Sequence, residues 1–197
     1  MARASKVVPI ISPQACFWGA LLLLTVPLRW FLSWVLAAFC HECFHCLAVL
    51  LAGKRIFSIH IGTFGAEIRT EPLGPTLSMV CALAGPLGGL VLLIFARFIP
   101  RVALCALLQS TFNLLPVHPL DGSVALRGFL MLLVSEKTAG KICFFLEILV
   151  VLLLIFICCA AACLWKLGIV PLLFAAAFLL LVKKRKIPCK YGLYRVQ

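Results

Sequence analysis

The sequence predicts an all-α polytopic membrane protein of about six transmembrane helices, with a short membrane-associated β-hairpin between helices two and three. Of its 197 residues, 64% are hydrophobic and only 12% are charged, whereas a soluble domain is about half apolar and about a quarter charged. Apolar stretches of the ~20 residues that cross a bilayer also recur to the end of the chain. Because so short a chain cannot bury this apolar surface in a core, the bilayer must be its solvent.

The apolar segments define one transmembrane domain, residues 1–182, followed by a basic tail, residues 183–197. Prolines and charged residues separate the segments, and both are disfavoured inside a spanning helix. Pro116 and Pro119 interrupt the fourth segment and predict unwound backbone there. The predicted spans cover about residues 7–28, 30–52, 76–99, 102–134, 142–164 and 168–182.

The basic residues predict the orientation of the chain in the membrane. With six spans, fourteen of the eighteen lysines and arginines fall on the side that holds both termini. Cytoplasmic segments are enriched in these residues, so both termini are predicted to be cytoplasmic. The net charge of +12 is placed between and after apolar stretches. This placement indicates contact with anionic lipid and not with nucleic acid.

The polar stretch at residues 53–75 is predicted to form the hairpin. Residues 56–61 alternate in part between apolar and polar, and two glycines flank the turn that follows. The candidate substrate-binding residues of this hairpin are Phe57, Ile59, Gly62, Phe64 and Gly65.

A metal-binding pattern lies in the second span. His41 and His45 are four residues apart on a helix, so both side chains project from one face and can bind one metal ion. Glu42 is placed to reach a water molecule at that metal, which is the arrangement of the His-Glu-x-x-His motif. The five-residue pattern alone is a weak signal. Ionisable residues deep in a span are costly, however, and this cost favours a functional site over simple packing.

The third metal ligand is predicted to be Asp121, the single aspartate of the chain. Catalytic zinc usually takes three protein ligands. Asp121 follows the proline-interrupted backbone of span four, which a membrane tolerates only where it is buried in protein or lines a wet cavity. Both motifs fall roughly 9–13 Å from the cytoplasmic ends of their spans at 1.5 Å per residue. Spans two and four run in the same direction, so the geometry permits one shared site.

Other polar residues in the spans have simpler interpretations. Cys40, Cys43 and Cys46 form a C-x-x-C-x-x-C pattern, but on a continuous helix their thiols spread around the axis, and they are interpreted as small apolar residues. His118 is expected to be a loop histidine beside the metal site. Glu147 is placed near the cytoplasmic end of span five, where it can reach the interface.

Three motifs together resemble the site-2 proteases, in particular the small sporulation-type members that process a membrane-tethered sigma-factor precursor. Residues 41–45 match the first zinc motif, and residues 84–86 match the Gly-Pro element of the third span. Residues 113–122 match the Asn…Pro…Pro-Leu-Asp-Gly motif. The order and separation of the motifs fit over residues 30–134.

The resemblance implies a role for each site residue. His41, His45 and Asp121 would bind one Zn²⁺ per chain, and Glu42 would be the catalytic base. Asn113 would hold the substrate carbonyl or the developing oxyanion. The hairpin would border the substrate path.

The sequence departs from the family pattern in three respects. Phe44 and Ser123 stand where the family usually has glycine. The nucleotide-sensing CBS domain that many sporulation-type members carry is absent from the sequence, so a member lacking that domain is expected.

The expected function is that of a zinc metalloendopeptidase in regulated intramembrane proteolysis, which hydrolyses a peptide bond of a membrane-bound or membrane-associated protein near the cytoplasmic face. The expected partners are that membrane-tethered substrate, the lipid bilayer and a regulatory membrane protein. Because a helical peptide bond is shielded, the substrate must be extended, and the hairpin is expected to offer it an edge strand.

Two alternatives remain: a divalent-metal transporter or channel, and a catalytically inactive, protease-like membrane binding protein. A transporter requires a polar path on both sides of the metal. Residues 30–39, outward of His41, are nearly all apolar, and this favours a one-sided site.

Overall fold

The computed structural model describes residues 9–62, 65–164 and 194–196, which are mostly helical. The helices of these ranges are α1 (Pro13–Thr25), α2 (Leu28–Leu51), α3 (Pro75–Val91), α4 (Pro100–Asn113), α5 (Asp121–Leu133) and α6 (Glu136–Leu164). The strands are β1 (Pro9–Ile11), β2 (Ile56–Gly62), β3 (Gly65–Thr70) and β4 (Tyr194–Val196). The predicted helical class and the antiparallel hairpin after the second helix are confirmed. The predicted span 168–182 lies outside the described residues, as does most of the tail 183–197.

Local sequence signals set the helix ends. The Ser12 side chain accepts a hydrogen bond from the Ala15 N–H at 3.2 Å and caps α1. Proline opens α3 at Pro75 and α4 at Pro100, where the missing N–H would have no partner in the helix. Gly53 follows α2 with a φ of 70°, the left-handed conformation that commonly ends a helix.

Three described helices are long and apolar enough to cross a membrane: α2, α3 together with the 3₁₀ turn Leu92–Phe95, and α6. They indicate an integral membrane protein. Helices α4 and α5 have 14 and 13 residues, each fewer than the ~20 that cross a bilayer. They lie on either side of the proline-containing loop, where the span predicted over residues 102–134 was expected to be interrupted. The total of six spans stays a prediction.

The hairpin belongs to a larger sheet than the sequence predicted. The described strands form a four-stranded sheet in the order β1-β2-β3-β4. Strand β1 pairs parallel to β2, and β4 pairs antiparallel to β3. The predicted first span, residues 7–28, therefore needs correction, since its helix begins at Pro13 after a strand. Strands of three residues are too short to show an alternating pattern, which is why β1 and β4 were missed.

Helices α2, α3 and α4 pack against one another, and α3 also packs against α5. Two buried clusters join α2 to these neighbours: Ala37 with residues of α4, and Val49 with residues of α3. The buried face of α2 also carries His41 and His45. The spacing of four residues along this face places both imidazoles in the interior of the bundle.

Candidate metal centre

The three predicted metal ligands meet inside the bundle. His41 Nε2 lies 3.0 Å from Asp121 Oδ2, and His45 Nε2 lies 3.2 Å from the same oxygen. The two Nε2 atoms are 3.1 Å apart. All three residues are buried, with exposed fractions of 2%, 0% and 1% for His41, His45 and Asp121. The first turn of α5 thus brings a carboxylate to the histidine face of α2.

The hydrogen bond on the far side of His45 orients its ring toward this centre. His45 Nδ1 lies 2.7 Å from the Cys81 carbonyl oxygen, which only accepts hydrogen bonds, so Nδ1 is assigned as the donor. A neutral ring then presents the lone pair of Nε2 to the centre, as metal-binding histidines do. Cys81 lies on α3, and α3 therefore helps to fix the imidazole.

The donor set fits a divalent cation. The lone pair of His45 Nε2 and a carboxylate oxygen converge at 3.2 Å, which is unfavourable unless a cation or a proton lies between them. Asp121 Oδ1 and His41 Nδ1 are buried with no hydrogen-bond partner in the described part of the chain. Ligand atoms of a tetrahedral zinc site, with bonds of ~2.0–2.1 Å, are about 3.3 Å apart. The distances between the three ligand atoms are close to that value.

Glu42 lies beside the three ligands and touches the hairpin. Its Oε1 accepts a hydrogen bond from the Ala66 N–H at 3.3 Å. Its Oε2 is buried and has no partner among the described residues. A Cβ on Gly65 would lie 3.6 Å from Oε1, and the Gly65 φ of 134° favours glycine. The start of strand β3 therefore lies next to the predicted base.

Asn113 completes the set of predicted polar residues. It is the last residue of α4, and its Nδ2 lies 3.1 Å from His41 Nε2. The loop that follows it ends at Asp121. Asn113 and Asp121 thus flank one loop and both contact His41.

Glycines allow the helices to approach this closely. A Cβ on Gly85 of α3 would lie 2.1 Å from His45 Nε2. A Cβ on Gly88 would lie 2.1 Å from Cγ of Phe44. Gly85 therefore borders a predicted metal ligand. Gly88 leaves room on α3 for the Phe44 ring of α2.

The hairpin residues named from the sequence have different positions. Gly65 lies next to Glu42, whereas Phe57, Ile59 and Gly62 lie on β2, between β1 and β3. Phe64 lies outside the described residues, and the substrate-binding role of the whole set stays a prediction. The Ala66 amide and the Cys81 carbonyl were missed, because backbone groups leave no trace in a side-chain pattern.

The fold has a counterpart among solved structures. The chain is similar to a site-2 protease from Methanocaldococcus jannaschii, with a TM-score of 0.66 and 17% sequence identity. The similarity covers 97% of each chain. No family model and no curated protein sequence matches the chain. At this identity the similarity shows a shared fold, and the chemistry has to be argued from the residues.

Proposed function

We propose that this protein is an intramembrane zinc metalloprotease of the site-2 type. The observation that carries the proposal is the convergence of His41, His45 and Asp121 inside a bundle of apolar helices, with Glu42 beside them. Ionisable side chains inside a membrane are costly and mark functional sites. A fold shared with a site-2 protease supports the same conclusion.

The site residues divide the chemistry of peptide hydrolysis between them. His41, His45 and Asp121 would hold Zn²⁺, a Lewis acid that activates water and polarises a carbonyl. Glu42 Oε2 accepts a proton from the attacking water, and Glu42 then delivers this proton to the leaving amine. The C–O bond forms, the C–N bond breaks, and the products are a carboxylate and an amine. The Asn113 amide donates a hydrogen bond to the substrate carbonyl oxygen.

The hairpin is proposed to align the substrate as an added strand. Strand β3 carries the amide that binds Glu42, so a peptide extended along β3 would lie near the base. Strand β4 pairs with Ile68, Arg69 and Thr70 and not with Gly65 or Ala66. The substrate would therefore enter at the Gly65 end of β3. Backbone pairing of this kind gives affinity with little sequence dependence.

We further propose an orientation in the membrane and a class of substrate. Strands β1 and β4 share one sheet with the hairpin, which supports placing both ends of the chain on one side. The basic residues make that side the cytoplasm. The substrate would be a membrane-tethered protein cut near this face. The motif pattern of residues 41–45 and 113–122 favours the sporulation-type subgroup.

The test compares wild type with Glu42→Gln for bound zinc and for cleavage of candidate membrane proteins. The amide keeps the size of the side chain but cannot take a proton, so zinc should remain while cleavage is lost. Cleavage by Glu42→Gln at the wild-type rate would sink the mechanism. Zinc uptake into proteoliposomes without cleavage would instead favour the transporter. Zinc binding with neither activity would favour the inactive binding protein.

A further inference from the structure

Glu147 is a buried carboxyl group that the chemistry described above does not use. It lies within α6, in an apolar stretch, and only 2% of it is exposed. The sequence interpretation placed it at the membrane interface, but the structure places it in the protein interior. A buried carboxyl group in a membrane helix is costly unless it makes a specific contact.

Glu147 contacts the loop between α4 and α5. The His118 backbone N–H donates a hydrogen bond to Glu147 Oε1 at 3.3 Å. One helical turn further along α6, Val151 packs against Val117 and Leu120 of the same loop. Helix α6 therefore holds the middle of the loop through polar and apolar contacts.

The loop connects two residues of the metal centre. Asn113 precedes it, Asp121 follows it, and both lie within hydrogen-bond distance of His41 Nε2. The loop is also tight at its ends, since a Cβ on Gly122 would lie 2.1 Å from the Leu114 carbonyl oxygen. Because the ends of the loop are packed this tightly, a displacement in its middle is expected to move Asp121 as well.

We propose that Glu147 is a positioning residue that fixes the Asp121 carboxylate through the His118 amide and the loop backbone. This inference rests on the metal centre of the proposed function. An apolar residue at position 147 would remove the hydrogen bond between the His118 N–H and Glu147 Oε1 inside the bundle, where the loss of a backbone hydrogen bond is costly. The loop would then shift, and Asp121 would move with it.

The test measures Co²⁺ binding to the detergent-solubilised full chain by visible absorption, which reports ligand geometry independently of proteolysis. Mutation of a group that orients a metal ligand typically lowers the metal affinity by about 10- to 100-fold. Glu147→Leu should weaken Co²⁺ binding by that factor and change the absorption bands. Glu147→Gln keeps an acceptor oxygen and should restore both. If Glu147→Leu does not fold, Glu147→Ser replaces it, because its hydroxyl is too short to reach the amide.

Glu136→Leu is the matched control. It also removes a carboxylate from α6, and it breaks the 3.0 Å ion pair with Arg127 of α5 at the protein surface. Its Co²⁺ affinity and spectrum should equal those of wild type. Wild-type affinity and spectrum in Glu147→Leu would overturn the inference, as would a Gln variant as weak as the Leu variant. Wild-type protein that binds Co²⁺ but cleaves nothing would refute the proposed protease and leave this comparison intact.

Discussion

Substitution of Gly85 by alanine should perturb the proposed metal centre without changing any proposed ligand. Gly85 faces His45 across the contact between α3 and α2. An added Cβ would lie 2.1 Å from His45 Nε2 and 2.6 Å from its Cε1, against 3.4–4 Å for ordinary contact. A close-packed interior has no free space for an added methyl group. Either the His45 imidazole or α3 must therefore move by more than ~1 Å.

Moving either the His45 ring or α3 costs free energy. The His45 ring is held on its other side by the Cys81 carbonyl at 2.7 Å, and α3 is packed between α2 and α5. Overpacking a core typically costs about 1–3 kcal/mol of stability. A misplacement of about 1 Å at a reacting centre can lower the rate by about 100-fold. We therefore expect Gly85→Ala to lose zinc, or to keep it and cleave at least about 100-fold more slowly.

The assay is zinc per chain by elemental analysis, with cleavage measured on the same preparation. Gly140→Ala on α6 is the matched control, because a Cβ there would meet nothing within 4 Å. Alanine within a helix should stabilise that variant by about 0.5–1 kcal/mol relative to glycine, with zinc and cleavage unchanged. Full zinc content and wild-type cleavage in Gly85→Ala would refute the geometry assigned to His45.

Two further predictions concern neighbouring contacts. Gly88→Ala should lower the thermal stability, because its Cβ would lie 2.1 Å from Phe44 Cγ. Adding Phe44→Ala to the same chain should recover part of the loss, with a coupling free energy of about 0.5–3 kcal/mol between the two substitutions. Purely additive effects on stability would contradict the contact between Gly88 and Phe44. Ala66→Pro removes the N–H that donates to Glu42, so cleavage should fall while bound zinc stays constant; unchanged cleavage would exclude a role for this contact.

Much of the site could be predicted because membranes restrict polar residues so strongly. A histidine pair at a spacing of four and the single aspartate stand out in a chain of which only 12% is charged. The break between α4 and α5 could be predicted from its prolines, because proline interrupts a helix even within an apolar stretch. The antiparallel pairing of β2 with β3 followed from glycines at a turn.

The contacts that hold the site could not be predicted, because they join segments far apart in sequence through backbone atoms. His45 is oriented by the carbonyl of Cys81, and Glu42 is held by the amide of Ala66. Strand β4 pairs with β3 from the far end of the chain, and no local pattern encodes such a pairing. The burial of Glu147 likewise depends on how α6 packs against a loop.

The most direct test of the metal centre is zinc K-edge X-ray absorption of the purified Glu42→Gln protein, which cannot degrade itself if the proposed mechanism holds. We expect one zinc per chain, bound by nitrogen and oxygen atoms at about 2.0–2.1 Å, with the multiple-scattering features of two imidazoles. Replacement of Asp121 by asparagine should change this set of atoms. A sulfur shell at about 2.3 Å, or protein without bound zinc, would contradict the assignment of His41, His45 and Asp121 as the ligands.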